Sequence, residues 1–363
     1  MPSTYRIQRA IYEVLPFGLV SFVFSSAYSL IEKGILGDYS FYPSTGNPYT
    51  FNWLIPSLTA GIFGLFIGFL EMRFISQWFK KGSFALKVIF KSSIYISLMV
   101  TLIILVTSFG NAYELGSNPF SAEVWKYNIV FLTSFAFWTI VFYITLGIVI
   151  SLFYTEVSNI IGHDVLWNLF TGRYHRPVEE ERIFMFLDMK SSTAIAEKLG
   201  HTKYFDLLKS YYSDLSDAIV DCGGTIYQYV GDEVVVMWKS GIGSSSASID
   251  CFLEMKKSLS DKKEKYLSEF GVAPTFKAGI HAGLVTSGEI GKIKKEVVFT
   301  GDLLNTTARI QGLCNEYQVD LLISEALVNQ ADLRSFIKLR EVVDEAELRG
   351  RNETVRLFTL ETD

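Results

Sequence analysis

Four long apolar runs crowd the first half of this 363-residue chain, and they constrain its fold more than any other feature. They lie at 14–31, 53–70, 92–109 and 127–154. Each falls within or above the roughly 17–25 helical residues that cross a hydrocarbon core of about 30 Å. Lys and Arg number 9 through Glu156 and 24 afterwards, and acids 7 and 31; the front carries +2 and the back −7, which sum to −5. Buried helices of a large soluble protein would not arrive as four such runs in one charge-poor block. The sequence predicts a membrane protein whose residues 1–156 form a four-helix transmembrane bundle in a lipid bilayer.

Basic residues near helix ends orient such a bundle. Arg6 and Arg9 precede the first run, and Arg73, Lys80, Lys81, Lys87 and Lys91 fill the segment between the second and third. The other connections carry Lys33, Asp38, Glu114, Glu123 and Lys126, with no basic excess. Both termini are expected on the cytoplasmic side of the inner (plasma) membrane. Glu13 and the lack of a cleavage site make the first run a retained anchor rather than a signal peptide. The outer connections are too short for a folded sensor. All four histidines follow the last run, which argues against haem held between membrane helices. The aromatic-rich bundle could receive an apolar ligand, although such residues also simply pack; the sequence names no signal.

Residues 157–181 form a helical coupling segment. Val157, Ile160, Ile161, Val165, Leu169 and Phe170 keep close to a helical period, before Gly172 and Pro177. It reads equally as a linker with membrane-proximal basic residues or as a paired element that transmits helix movement.

From residue 182 to 363 the composition is that of a soluble domain. Its acidic balance argues against a nucleic-acid partner. Cys222, Cys251 and Cys314 lack metal-ligand spacing and read as reduced thiols. Strands and helices alternate as β-α-β-β-α-β, the ferredoxin-like α+β plan with additions. A strand over Ile183–Leu187 leads to Asp188; helices follow around Thr193–Leu199 and Tyr204–Asp221. Next come a hairpin with Gly231-Asp232 at its tip and a helix through Ala247–Tyr266. A strand near Thr275–His281, a second hairpin ending near Val298, and a helix over Leu303–Leu313 complete the pattern before short closing strands. Two acids at strand ends beside small residues suggest a divalent-metal and phosphate site.

FLDMKSST, YVGDEVVVMW, KAGIHAG and FTGDLLNTTARIQ occur in this order. Together they resemble the class III nucleotidyl (adenylate/guanylate) cyclases, over about residues 182–360. The segment from His163 to Arg182 also looks like the one preceding such domains in bacterial membrane-anchored cyclases. The resemblance implies a catalytic domain that makes cyclic AMP from ATP, or cyclic GMP from GTP, with release of pyrophosphate.

Cyclisation needs the ribose 3′-hydroxyl deprotonated and aimed at the α-phosphorus. Two carboxylates about 4 Å apart repel by roughly 4 kcal/mol at an effective dielectric of 20, and tend to share a proton unless a cation lies between them. By resemblance, Asp188 and Asp232 hold two divalent cations, Mg2+ or Mn2+, with the Met189 carbonyl as a further ligand. The backbone of Ser192 and Thr193 would receive the triphosphate, and Arg349, where the family has lysine, its terminal phosphates. Asn305 and Arg309 share one helix face, with Asp302 as a candidate N-cap; by resemblance they orient the ribose and stabilise charge at the α-phosphate. The family places the two sets on opposite partners, which implies a homodimer.

The resemblance departs at the base. Alignment puts Gln228 and Val298 at the two positions that read the purine, and neither fits the adenine or guanine pattern. Glutamine can serve either base, while valine offers no hydrogen bond. An adenylyl cyclase is favoured on family frequency, with a guanylyl or mixed-selectivity enzyme as the alternative. Lys292, Lys294 and Lys295 could compensate or simply form a solvated loop tip. GGTIYQYVGDE also resembles the diguanylate cyclase hairpin, which has no place for the Asn305 and Arg309 helix. A nucleotide-binding membrane receptor without turnover is the alternative of another class.

Overall fold

The computed structural model describes residues 4–41, 49–79, 83–162, 166, 172–241, 243–331, 338–347 and 354–361. Arg349, His163 and half of the apolar positions of the coupling segment (Val165, Leu169 and Phe170) lie outside the described residues. The chain divides into two compact units, Gln8–Trp167 and, with Met1–Ile7, Asn168–Asp363.

In the first unit the long helices are α1 (Thr4–Leu36), α2 (Leu54–Leu70), α3 (Phe84–Leu115), α4 (Ala122–Thr133) and α5 (Phe135–Ile161). A π-helical turn, Glu71–Ile75, continues α2. Among the described residues four helical spans are long and apolar enough to cross a membrane: Thr4–Leu36, Leu54–Ile75, Phe84–Leu115 and Phe135–Ile161. The fourth apolar run is not one helix. Ser134 is extended, and its side chain accepts from the Phe137 N–H, so it caps α5 and separates it from α4. The third begins eight residues before the apolar run suggests, because Ser83 caps it by accepting from the Leu86 N–H. Lys87 and Lys91 therefore lie inside α3 rather than in the connection before it. Gly64 lets α1 and α2 approach closely: a Cβ there would lie 2.4 Å from the Phe17 carbonyl oxygen.

The second unit contains β1 (Val178–Met189), α6 (Ser192–Leu199), α7 (His201–Asp221), β2 (Thr225–Val230), β3 (Glu233–Lys239), α8 (Ser244–Asp261) and α9 (Lys263–Phe270). It continues through β4 (Phe276–Ile290), β5 (Glu296–Thr300), α10 (Asp302–Leu313), β6 (Leu321–Ser324), α11 (Glu325–Val328), β7 (Leu339–Glu347) and β8 (Thr354–Leu360). The sheet runs β2-β3-β1-β4-β6-β8-β7, with β5 paired to β4. Its first four strands are antiparallel in the ferredoxin-like order, and β6 joins parallel to β4. The sequence expectation of a single helix through Ala247–Tyr266 gives way to two, α8 and α9. The strand near Thr275 and the first arm of the second hairpin are one 15-residue strand, β4.

Side chains alternate across a strand, and β1 is buried on both faces. Ile183, Met185 and Leu187 pack with Leu207, Tyr211 and Leu215 of α7 and Phe252 and Met255 of α8. Phe184 and Phe186 face Val235, Val285, Phe299 and Leu303 of α10. Bare backbone at Gly279 lets α10 sit against β4, since a Cβ there would lie 2.4 Å from the Gln311 nitrogen.

Gly279→Ala is accordingly expected to destabilise the second unit by about 1–3 kcal/mol through overpacking. Thermal unfolding of the purified protein checks this; an unchanged transition would mean that α10 can shift without loss.

Candidate active site

The β1–β3 register sets Asp188 opposite Glu233, and the β1–β4 register sets it opposite Lys277. Gly231, with φ +65°, supplies the left-handed turn that presents Asp232 beside it. Tyr212 donates its hydroxyl proton to the Gly231 carbonyl and steadies this turn. The carboxyls of Asp188 and Asp232 come within hydrogen-bond reach of each other.

Asp188 Oδ2 has two positive or donor neighbours, Lys277 Nζ at 3.4 Å and Gln311 Nε2 at 3.4 Å. Burial, then the hydrogen bond and charge of Asp232, push the Asp188 carboxyl above its ordinary range, and Lys277 opposes them. Glu233 is raised by burial and by both aspartates. The Tyr212 phenol is pushed up to about 12 by burial and by Asp232. Asp232 Oδ2 is buried with no hydrogen-bond partner.

An orphaned carboxylate oxygen beside a second, protonation-prone carboxyl is the electrostatic condition that a divalent cation relieves. The donor set is all oxygen, which suits Mg2+ or Mn2+. Among the described residues no group of three or more metal-ligating side chains occurs, so the pair and neighbouring carbonyls are the set that fits.

A cavity of about 660 Å³ opens beside Asp188, lined by Met189, Ser192, Thr193, Lys190 and Lys277 among others. Ser192 and Thr193 begin α6, where unpaired N–H groups of a first helical turn face outward. Ser191 before them is left-handed, with φ 56°.

Asn305 and Arg309 do not line this cavity. They sit on α10, Asn305 exposed and Arg309 half-buried, while Leu303, Thr307, Ile310 and Gln311 of the same helix are buried. Among the described residues neither side chain makes a hydrogen bond or ion pair. One chain brings Asp232 to Asp188 and sets Asp188, Ser192 and Thr193 in one cavity, whose lining does not include Asn305 or Arg309.

Gln228 is exposed on β2. A bulge at Tyr227 shifts the β2–β3 register, so that Gln228 pairs with Val235 and shares the sheet face of Phe184, Phe186 and Asp188. Val298 is half-buried on β5, and its neighbours Val297 and Phe299 pack into the aromatic cluster, which turns Val298 to the other face. Lys294 pairs with Glu296, and Lys295 with Glu289 at 2.5 Å, within the hairpin itself. Lys277 and Gln311 were not singled out from sequence as site residues. Each lies inside a motif that was read, KAGIHAG and TTARIQ, and the only available signal was proximity to those motifs.

Residues 176–362 match the family model of the adenylate and guanylate cyclase catalytic domain. Adenylate cyclase 2 of Rhizobium meliloti (strain 1021) is 31% identical over 210 residues, which is 58% of this chain and 58% of that protein. An adenylate cyclase of Anabaena cylindrica is 25% identical over 181 residues, 48% of this chain and 35% of that one. The chain thus spans little more than half the length of the first of these relatives and about a third of the second. Among solved structures, a bacterial light-regulated adenylyl cyclase has the same fold, with a TM-score of 0.51 at 18% identity over 58% of this chain and 61% of that chain.

A carboxyl raised by folding binds its proton more tightly in the folded state. The stability it contributes is therefore present at low pH and falls as pH rises through the raised value. Without metal, the second unit should lose stability as pH rises above the ordinary carboxylate range, and Mn2+ should restore it. Asp232→Asn should raise the metal-free unfolding temperature at neutral pH and remove most of the Mn2+ effect. Calorimetry with and without chelator measures both; a full Mn2+ shift in the variant would exclude Asp232 as a ligand.

Proposed function

The chain belongs to the adenylate and guanylate cyclase family, and we propose that it is a membrane-anchored, homodimeric adenylyl cyclase. It would convert ATP to 3′,5′-cyclic AMP and pyrophosphate. The observation that carries this reading is the Asp188–Asp232 pair, with one carboxyl raised and the other holding a buried oxygen without a partner.

In the proposed reaction the 3′-oxygen attacks the α-phosphorus, the bond to the α–β bridging oxygen breaks, and pyrophosphate leaves with that electron pair. Asp188 and Asp232, with the Met189 carbonyl, would hold two divalent cations, Mg2+ or Mn2+. Bound there, such cations make the 3′-hydroxyl more acidic and neutralise phosphate charge. Ser192 and Thr193 offer backbone N–H groups to the triphosphate, and Lys277 faces the same cavity. Arg349 is proposed at the terminal phosphates on sequence grounds alone.

Asn305 and Arg309, exposed and half-buried and absent from the cavity lining of their own chain, support a site completed by a second copy. Asn305 would orient the ribose and Arg309 would stabilise charge on the α-phosphate, a role worth a few kcal/mol in such sites, about 2.7–4 for a single donor. The bundle is proposed to hold the enzyme in the inner (plasma) membrane with both termini in the cytoplasm, where ATP is available. An apolar ligand of the bundle is compatible with this reading.

Mixed ATP and GTP use is the second reading, favoured by one observation. Val298 provides no hydrogen bond and turns away from the face that carries Gln228.

Full-length protein given equal ATP and GTP with Mn2+ should yield mainly cyclic AMP, with modest discrimination. No cyclic product from either nucleotide, under several metal conditions, defeats the assignment. Asp188→Ala and Arg309→Ala should each abolish turnover, and co-expression of the two should restore part of it through one intact composite site. Failure of that rescue, with each variant folded and dimeric, would count against the shared site.

A further inference from the structure

The membrane-helix unit contains a cluster of charges that the cyclase chemistry does not use. Lys91 of α3 donates to Glu71 Oε1 at 2.5 Å and to Glu156 Oε1 at 2.7 Å. Tyr95, one turn further along α3, donates to the other oxygen of Glu71, Oε2, at 2.6 Å. The side chains of Lys91 and Glu71 are 3% and 4% exposed, and that of Glu156 is 13% exposed. Tyr95 itself packs in an apolar cluster with Phe17, Ile67, Ile148 and Leu152.

Charge inside a bundle that faces lipid is unfavourable, and ionisable residues so placed tend to be working parts. Adhesion alone does not require them, since well-packed apolar side chains hold helices at least as well as a buried ion pair. Here two carboxylates share one ammonium, a net −1 with both ionised. Glu71 also opens the π-helical turn, in which the Ser76 N–H reaches back to the Glu71 carbonyl. Such wide turns recur at functional positions.

The bonds are shared unequally. Glu71 is gripped by two donors from α3, which satisfy both of its oxygens. Glu156 accepts one bond, is the most exposed of the three, and belongs to α5, the helix whose C-terminal end runs on toward the catalytic unit in sequence. The Lys91–Glu156 contact is therefore the one that can open while α2 and α3 stay joined. Opening it leaves a balanced Lys91–Glu71 pair in the interior.

We propose that the Lys91–Glu156 contact is a releasable latch. Closed, it holds α5 to α3 and restrains turnover; open, it frees α5 for a more active arrangement. The latch goes beyond the cyclase assignment, and only its rate readout rests on that assignment.

The test uses the full-length protein in lipid nanodiscs. Glu156→Gln keeps the shape, removes one buried charge and leaves the Glu71–Lys91–Tyr95 bonds in place. Phe84 of α3 and Phe153 of α5 have ring centroids 5.7 Å apart, so cysteines at these two positions report α3–α5 contact through a short bis-thiol reagent. Glu156→Gln should lower cross-linking yield and raise basal cyclic-nucleotide formation about fivefold or more, the low end of ordinary coupling between sites, with KM for nucleotide unchanged. Unchanged cross-linking, or an unchanged or lowered rate, overturns the latch. A Glu156→Gln protein that does not fold also overturns it, because the cluster would then be a structural staple. If the wild-type chain makes no cyclic nucleotide, the cyclase assignment fails and the cross-linking arm alone decides the latch.

Discussion

The repulsion between Asp188 and Asp232 is the constraint around which the catalytic unit is arranged. Two carboxyls brought together at the end of a sheet favour separation or protonation, and neither side chain is free to swing far away. Asp188 is fixed by a strand whose preceding five residues, Ile183 to Leu187, are buried on alternate faces in two hydrophobic clusters. Asp232 is fixed by a glycine turn that Tyr212 ties down. The stability of the core holds an unfavourable contact at its edge, and the contact becomes favourable when positive charge arrives. Lys277 and Gln311 soften the repulsion from one side by approaching the same oxygen of Asp188. Asp232 Oδ2 gains nothing from them.

The helical unit handles buried charge in the opposite way. Glu71, Lys91 and Tyr95 complete one another, with no oxygen of Glu71 left over. Such a cluster costs desolvation energy and returns it through short, charge-assisted hydrogen bonds. In the catalytic unit a buried carboxylate oxygen is left unmet, while in the bundle the charge is met inside the apolar interior. The same physical rule, that buried charge must find a partner, is unmet at Asp232 Oδ2 in one unit and met at Glu71 in the other.

Much of this was legible in the residue order, and the failures have identifiable physical causes. Apolar run length marked the four long apolar helices, and strand ends marked where Asp188 and Asp232 sit. Local caps were harder to read. Ser134 sits in an unbroken apolar stretch, yet its hydroxyl offers the cap that divides α4 from α5. Lys91 looked like a connection residue because a charge ends an apolar run. Its partners lie 20 and 65 residues away, on other helices, so no sequence window contains all three. Gln311 eluded the reading for the same reason, since Asp188 lies 123 residues earlier.

The bulge at Tyr227 had no sequence signal either, and it bears on the choice of base. Regular alternation would set Tyr227 and Gln228 on opposite faces of β2. The extra residue turns both toward the face of Phe184 and Asp188, where Tyr227 packs edge-on against Phe184 and Phe299. The Tyr227 hydroxyl accepts from the Phe299 N–H at 3.4 Å, which joins β2 to β5. The two strands that carry the proposed base-reading positions are thus held as one aromatic block, with Gln228 at its edge and Val298 turned away. Strong rejection of a wrong base requires a buried polar group that the wrong base leaves unpaired. An exposed amide, able to donate or accept, imposes no such penalty. On the proposed reading, preference between ATP and GTP must come from where this block positions the purine relative to the aspartate pair, and that is a weaker filter than a matched pair of hydrogen bonds.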